Sequence, residues 1–240
     1  MVLGGKNIYG YPIGILMLET KFPRIPGDIG NATTWNFPVL YKIIKKATPD
    51  VAVRKGAEGL LEPFVRGAQE LEKEGVRAIT TTCGFLGLFQ KEMSSAVQIP
   101  VFTSSLMQVP LVYSMLKPTQ KVGILTIHSK SLTQRHLSSV GADSIPHVIY
   151  GTEKEEEFSR AILDDEIEMD VKKSKEEIVR VAIRMVTEHP EIGAFVLECT
   201  NMPPYAASIQ KEIGLPIFDI YTLVMLMYNA VVKRDFSGYM

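Results

Sequence analysis

Two stretches decide the fold: Val76-Arg77-Ala78-Ile79-Thr80-Thr81-Thr82-Cys83-Gly84 and Ile192-Gly193-Ala194-Phe195-Val196-Leu197-Glu198-Cys199-Thr200. Each is an apolar, strand-like run that reaches a cysteine, and the 240-residue chain holds only these two cysteines, 116 positions apart (199 − 83). A second matched pair, Ile99-Pro100-Val101-Phe102 and Leu215-Pro216-Ile217-Phe218, keeps the same offset (216 − 100). Ile13-Gly14-Ile15-Leu16-Met17 resembles Val122-Gly123-Ile124-Leu125-Thr126 at an offset of 109 (122 − 13), a shift that the long loop after the first strand absorbs. The chain therefore reads as two similar halves, each starting with an I/V-G-I-L strand and carrying one thiol at an equivalent place. Lys117-Pro118-Thr119-Gln120 is a turn-like break between them. The expected division is residues 1–117 plus 221–240 as an N-terminal lobe with Cys83, and 118–220 as a C-terminal lobe with Cys199. The last helix is expected to cross back to the first lobe.

Outward from those stretches, short apolar runs alternate with longer helical patterns. Strands are predicted over Pro12–Leu18, Val76–Thr82, Pro100–Ser104, Lys121–Ile127, His147–Tyr150, Gly193–Cys199 and Pro216–Ile220. Helical patterns run over Ala52–Glu74, Phe85–Val97, Gln108–Leu116, Ser131–Val140, Glu155–His189, Pro203–Ile213 and Thr222–Lys233. Continuous apolar strands separated by helices imply an α/β fold with parallel sheets covered on both faces. Residues Lys21–Phe37 carry Pro23, Pro26, Gly27, Gly30 and the lone Trp35, and read as a long ordered loop of the functional kind. The acidic stretch Glu153–Asp170 reads as an amphipathic helix with a solvated face, since Phe158, Ile162, Leu163, Ile167 and Val171 recur at helical steps. Met185, Met225 and Met227 read as core on the same logic.

Composition narrows the function. With 46% apolar residues the chain has material for a large core, and a net charge of −1 provides no field to attract nucleic acid or an acidic membrane. No run of 18 apolar residues and no signal-peptide pattern is present, so the expected location is the cytoplasm, where two cysteines are expected to be reduced. There is no Cys-x-x-Cys, and the four histidines (His128, His136, His147, His189) are scattered, so no metal site is expected. No phosphate-binding glycine motif occurs and no cofactor is called for.

In an open parallel sheet ligands bind beyond the carboxyl ends of the strands, where both cysteines lie. Each precedes a predicted helix start, whose free N–H groups suit a carboxylate and whose dipole is expected to lower a thiol pKa. Thr200 and Asn201 add side-chain donors, and Gly84 leaves room for a ligand. A thiolate on one face of a carbon next to a carboxylate removes a proton, and a thiol on the other returns one. The opposite possibility for each cysteine is a buried small hydrophobe. Thr82 is within reach of a ligand beside Cys83. Thr126 and His128 end a strand that could face the cleft, though His128 equally fits a surface position. Thr80 and Thr81 read as strand filling. Glu19, Thr20 and Asn31 either line the cleft or cap turns.

Thr82-Cys83-Gly84 and Glu198-Cys199-Thr200-Asn201, at strand ends in a duplicated chain of this length, resemble the aspartate/glutamate racemase superfamily. That group includes aspartate, glutamate and hydantoin racemases, arylmalonate decarboxylase and maleate isomerase. The resemblance implies two pseudo-symmetric α/β lobes, each with a four-stranded parallel sheet, a cleft between them, cofactor-free chemistry and frequent homodimers. It implies Cys83 and Cys199 as the acid/base pair, and Gly84, Phe85, Thr200 and Asn201 as carboxylate binders. The chain departs from the amino-acid racemases in two places. It has Cys83-Gly84-Phe85 where they carry Cys-Asn-Thr, and its first strand ends Leu18-Glu19-Thr20 where glutamate racemases have Asp-Ser. The leading expectation is a racemase or epimerase of an amino acid or related carboxylate. The alternatives are an isomerase, lyase or decarboxylase of a small dicarboxylic acid, and a non-catalytic binder of small carboxylates.

Overall fold

The computed structural model describes residues 1 and 4–240. Eight strands form in the order β1 Ile13–Leu18, β2 Val39–Ile44, β3 Ala78–Thr81, β4 Val101–Phe102, β5 Lys121–Thr126, β6 His147–Gly151, β7 Ile192–Leu197 and β8 Ile217–Phe218. The helices between and after them are α1 Leu61–Glu74, α2 Gln90–Ser95, α3 Val109–Ser114, α4 Gln134–Ser139, α5 Glu157–Leu163, α6 Val171–Glu188, α7 Pro203–Ile213 and α8 Ile220–Val231. Two four-stranded sheets result, ordered β2-β1-β3-β4 and β6-β5-β7-β8, and every pairing is parallel. The second order repeats the first strand for strand, as the internal repeat requires. No helix among the described residues is long and apolar enough to cross a membrane.

The central strands β1, β3, β5 and β7 are buried almost throughout, which is why their sequences are mostly apolar. Edge strand β2 is only partly buried, and its mixed sequence Val39-Leu40-Tyr41-Lys42-Ile43-Ile44 escaped the strand prediction for that reason. Phe64, Ala68 and Leu71 on α1 pack with Leu16 and Ile79 on one side of the first sheet. On the other side Ile220, Leu223 and Val224 of α8 pack with Ile13, Ile15, Ala78 and Phe102. Asp219 caps α8 in a reciprocal box with Thr222, and Gln108 Nε2 donates to the Asp219 carbonyl, tying that helix to the first lobe.

Two predicted helices are broken. The span Ala52–Glu74 becomes a π-helical turn, Asp50–Arg54, followed by α1, because Gly56, Ala57 and Gly59 all adopt left-handed backbone conformations that stop a right-handed helix. The span Glu155–His189 becomes α5 and α6. Asp165 turns left-handed after α5 and Asp170 caps α6 by accepting from Lys173 N–H. Ile167 and Val171, expected on the buried face of one helix, are consequently exposed. Met185 is fully buried, whereas Met225 and Met227 only pack against the smaller core from outside.

Candidate active site

The carboxyl ends of both sheets meet at one small pocket. Cys83 and Cys199 both line it, and both are free thiols, 7% and 6% exposed. Thr82, Gly84, Phe85, Thr200 and Asn201 also line it, so five of the six expected binding residues converge there. The sixth, Thr126, does not face the pocket. It is fully buried, and its hydroxyl donates to Glu198 Oε2 at 2.6 Å. Apart from Glu198, the remaining walls are apolar: Leu18, Phe22, Pro49, Val53, Ile127, Ile162 and Leu163.

The lobes are tied together at this point by polar contacts. Thr200 Oγ1 donates to the Thr82 carbonyl at 2.7 Å, and Thr82 Oγ1 accepts from Leu18 N–H at 3.0 Å. Ser105 Oγ donates to the Leu197 carbonyl at 2.6 Å. The buried rings of Phe85 and His136 meet edge to face at 5.4 Å, so α4 of one lobe braces the Gly84–Phe89 turn of the other. Arg54 pairs with Asp164 at 2.6 Å, and the Asp165 carboxylate accepts from Lys21 and Phe22 N–H. These contacts seat the end of α5, with Ile162 and Leu163, over the pocket.

The Lys21–Phe37 loop is ordered, as expected, and contributes residues that its composition does not reveal. Arg24 pairs with Asp28 at 2.8 Å, donates to Thr20 Oγ1 at 3.0 Å and stacks its guanidinium over Phe22 at 4.6 Å. Asp28, also buried, accepts from Asn201 Nδ2 at 2.6 Å. The Arg24–Asp28 pair thus holds Asn201 in place beside Cys199, which donates its S–H to Asn201 Oδ1 at 3.6 Å. The other candidates lie elsewhere. Glu19 pairs with Lys45 at the surface, Asn31 caps the Ala32–Thr34 turn, and half-buried His128 accepts from Ser131 N–H. Thr80 and Thr81 donate to the Phe102 and Thr103 carbonyls, which makes them strand filling.

The expected lowering of the thiol pKa is reversed. Burial, and then the nearby Glu198 carboxyl, push the Cys83 thiol up to about 12 and the Cys199 thiol well above its ordinary value. Phe85 and Leu86 N–H point at Cys83 and Asn201 N–H at Cys199, each opposing that rise without overcoming it. No long helix begins at either thiol: Cys83 leads into a 3-10 turn, and α7 starts only at Pro203.

Glu198 is the residue that sequence reading passes over. It is 0% exposed, lines the pocket and is the strongest charge acting on both thiols. Burial pushes its carboxyl up to about 7, against the hydrogen bond from Thr126. Among the described residues its Oε1 has no hydrogen-bond partner. A Cβ on Gly84 would overlap Glu198 Oε1 and the Glu198 carbonyl oxygen, so a glycine is required where the two lobes touch. One signal was available: Glu198 occupies the repeat position of Thr82 (198 − 116), a charged residue inside an apolar run. Among the described residues no group of three His, Cys, Asp or Glu side chains is arranged to hold a metal ion.

The Asp/Glu/hydantoin racemase family model matches residues 54–227. The chain belongs to that family. A dimethylsulfoniopropionate lyase from Durusdinium sp. clade D is 30% identical over 237 residues, a match covering 96% of this chain and 75% of that protein. Dimethylsulfoniopropionate lyase 3 of Emiliania huxleyi is 27% identical over 237 residues, covering 94% of this chain. The chain spans 61% of that relative's length, less than two thirds. An allantoin racemase from Klebsiella pneumoniae superposes with a TM-score of 0.64 at 15% identity, covering 91% of this chain and 86% of that one, which establishes a shared fold.

Proposed function

We propose that the protein is a lyase that eliminates a neutral thioether from a β-sulfonio carboxylate of the dimethylsulfoniopropionate type. The observation that carries this reading is a largely apolar pocket with two thiols and a carboxyl but no Lys, Arg or His among its lining residues. A dicarboxylate such as glutamate or aspartate would bring two negative charges to a site whose own ionisable groups are all acids. A substrate with a permanent positive charge instead offsets a developing thiolate. The 30% identity to a lyase named for such a substrate supports the same choice.

In the proposed reaction a cysteine thiolate takes the proton from the carbon next to the carboxylate. The C–H electron pair becomes the new C=C bond, and the C–S bond breaks. Its electrons leave on sulfur, giving dimethyl sulfide and acrylate, with the proton on the thiol. Cys83 is the better base, because two N–H groups point at its sulfur and stabilise the anion, whereas one does at Cys199. Cys199 remains a thiol, its S–H held by Asn201. The sulfonium charge opposes the rise that burial and the Glu198 carboxyl impose on the thiol.

A racemase or epimerase working with both thiols is the second reading, and the cysteine at the equivalent place in each half favours it. The two separate in heavy water. Incubation with dimethylsulfoniopropionate is expected to release dimethyl sulfide, read by gas chromatography, and acrylate, read by NMR. Absence of both products, with deuterium entering the Cα of an amino acid or hydantoin instead, overturns the lyase reading.

A further inference from the structure

Glu198 remains unexplained by the thiol chemistry. Carboxyl groups are rarely buried without a partner, because an isolated carboxylate in an apolar site is expensive and neutralises instead. Here one oxygen is satisfied by Thr126 and the other has no partner. The cation that acts on Cys83 is already committed, since Arg24 pairs with Asp28, donates to Thr20 and stacks on Phe22. Gly84 packs directly against Oε1, where a Cβ would overlap it and no side chain can offer a partner. What surrounds the carboxyl is a set of apolar walls and two neutral thiols.

We infer that Glu198 is the counter-ion for a positively charged onium group of the substrate, and so the residue that selects sulfonium or quaternary ammonium carboxylates over neutral analogues. The inference deepens the lyase reading and rests on it for the substrate's overall shape, but its test reads binding and not turnover. The ionisable groups facing Glu198 are Cys83 from the first lobe and Cys199 beside it. The Asp28–Arg24 pair and Tyr205 lie behind Cys199. Burial holds the carboxyl near neutrality in pKa, so an arriving cation favours its ionised form and expels its proton.

The test uses 3-(trimethylammonio)propanoate as the onium probe and its uncharged isostere 4,4-dimethylpentanoate, each titrated by calorimetry at pH 6 and pH 8. Wild type is expected to bind the onium probe about tenfold more tightly at pH 8 than at pH 6, following ionisation of a carboxyl near 7. The isostere's affinity gains nothing over the same range. Glu198→Gln keeps the shape and an oxygen to accept from Thr126. It is expected to weaken the onium probe on the order of 10- to 100-fold, abolish its pH dependence and spare the isostere. Onium binding that Glu198→Gln leaves unchanged overturns the inference. Should that variant fail to fold, Thr126→Val removes the hydrogen bond that holds the carboxyl's pKa down. The midpoint of the onium pH dependence should then move up, and an unmoved midpoint overturns the inference. Onium binding that requires Glu198, without thioether release from any sulfonium substrate, sustains this inference and overturns the lyase reading.

Discussion

The two lobes repeat the same sheet order, and their repeat-equivalent residues at the pocket differ in a consistent way. Thr82-Cys83-Gly84-Phe85 in the first lobe stands against Glu198-Cys199-Thr200-Asn201 in the second, 116 positions on. The first lobe brings a thiol served by two N–H groups, a glycine and an aromatic wall. The second brings a thiol tied to an amide side chain, a buried carboxyl and a hydroxyl that reaches across to Thr82. The scaffold is symmetric and the chemistry placed on it is not. Such asymmetry suits a one-way elimination, which needs one base, better than a racemisation, which uses two interchangeable ones.

Exchanging the thiols tests that contrast most sharply. Cys83→Ala is expected to reduce turnover roughly 10³-fold, the scale of losing a general base, and Cys199→Ala roughly tenfold. Steady-state rates of both variants on a sulfonium substrate measure it, and equal losses would restore the symmetric, two-base picture.

The carboxyl of the second lobe has no counterpart at Thr82, and its charge state carries a stability signature. Folding raises the Glu198 pKa from about 4.5 to about 7, so between those values the folded chain holds the proton more tightly than the unfolded chain. Stability therefore falls as pH rises through that window, by at most about 3 kcal/mol from this group. In urea unfolding at pH 5 and pH 8, Glu198→Gln should lose less stability across the interval than wild type. Parallel slopes for the two proteins would show that Glu198 is not the group responsible.

Gly84, the first lobe's half of the contact, should tolerate little. Gly84→Ala forces the strand ends apart against Glu198 and is expected to destabilise by roughly 1–3 kcal/mol, the range for overpacking. A double variant with Glu198→Ala relieves the side-chain overlap but not that with the Glu198 carbonyl. Partial recovery is therefore expected, and no recovery would locate the whole clash on the backbone.

The architecture was legible in the chain because central parallel strands are buried on both faces and so are mostly apolar. The four central strands were visible in that way and the edge strands β4, β6 and β8 as short apolar runs, whereas edge strand β2, with Tyr41 and Lys42 in a half-exposed run, was not. The broken helices were hidden because a hydrophobic period does not register a single left-handed residue such as Ala57 or Asp165, whose conformation is set by surrounding contacts. At the pocket, Cys83 and Cys199 were readable as the only thiols at matched strand ends, and Gly84, Thr200 and Asn201 followed by adjacency.

By itself, then, the sequence determined a duplicated α/β chain and the pairing of two thiols at equivalent strand ends, because strand burial and internal repeats are written in residue order. The charge states of those thiols were decided only by the tertiary structure. The helix-dipole argument is local and points down in pKa, while the surrounding apolar walls and the Glu198 carboxyl point up. Desolvation depends on every atom that excludes water, and those atoms come from Phe22, Val53, Ile162 and Leu163, which lie far from either cysteine in the chain.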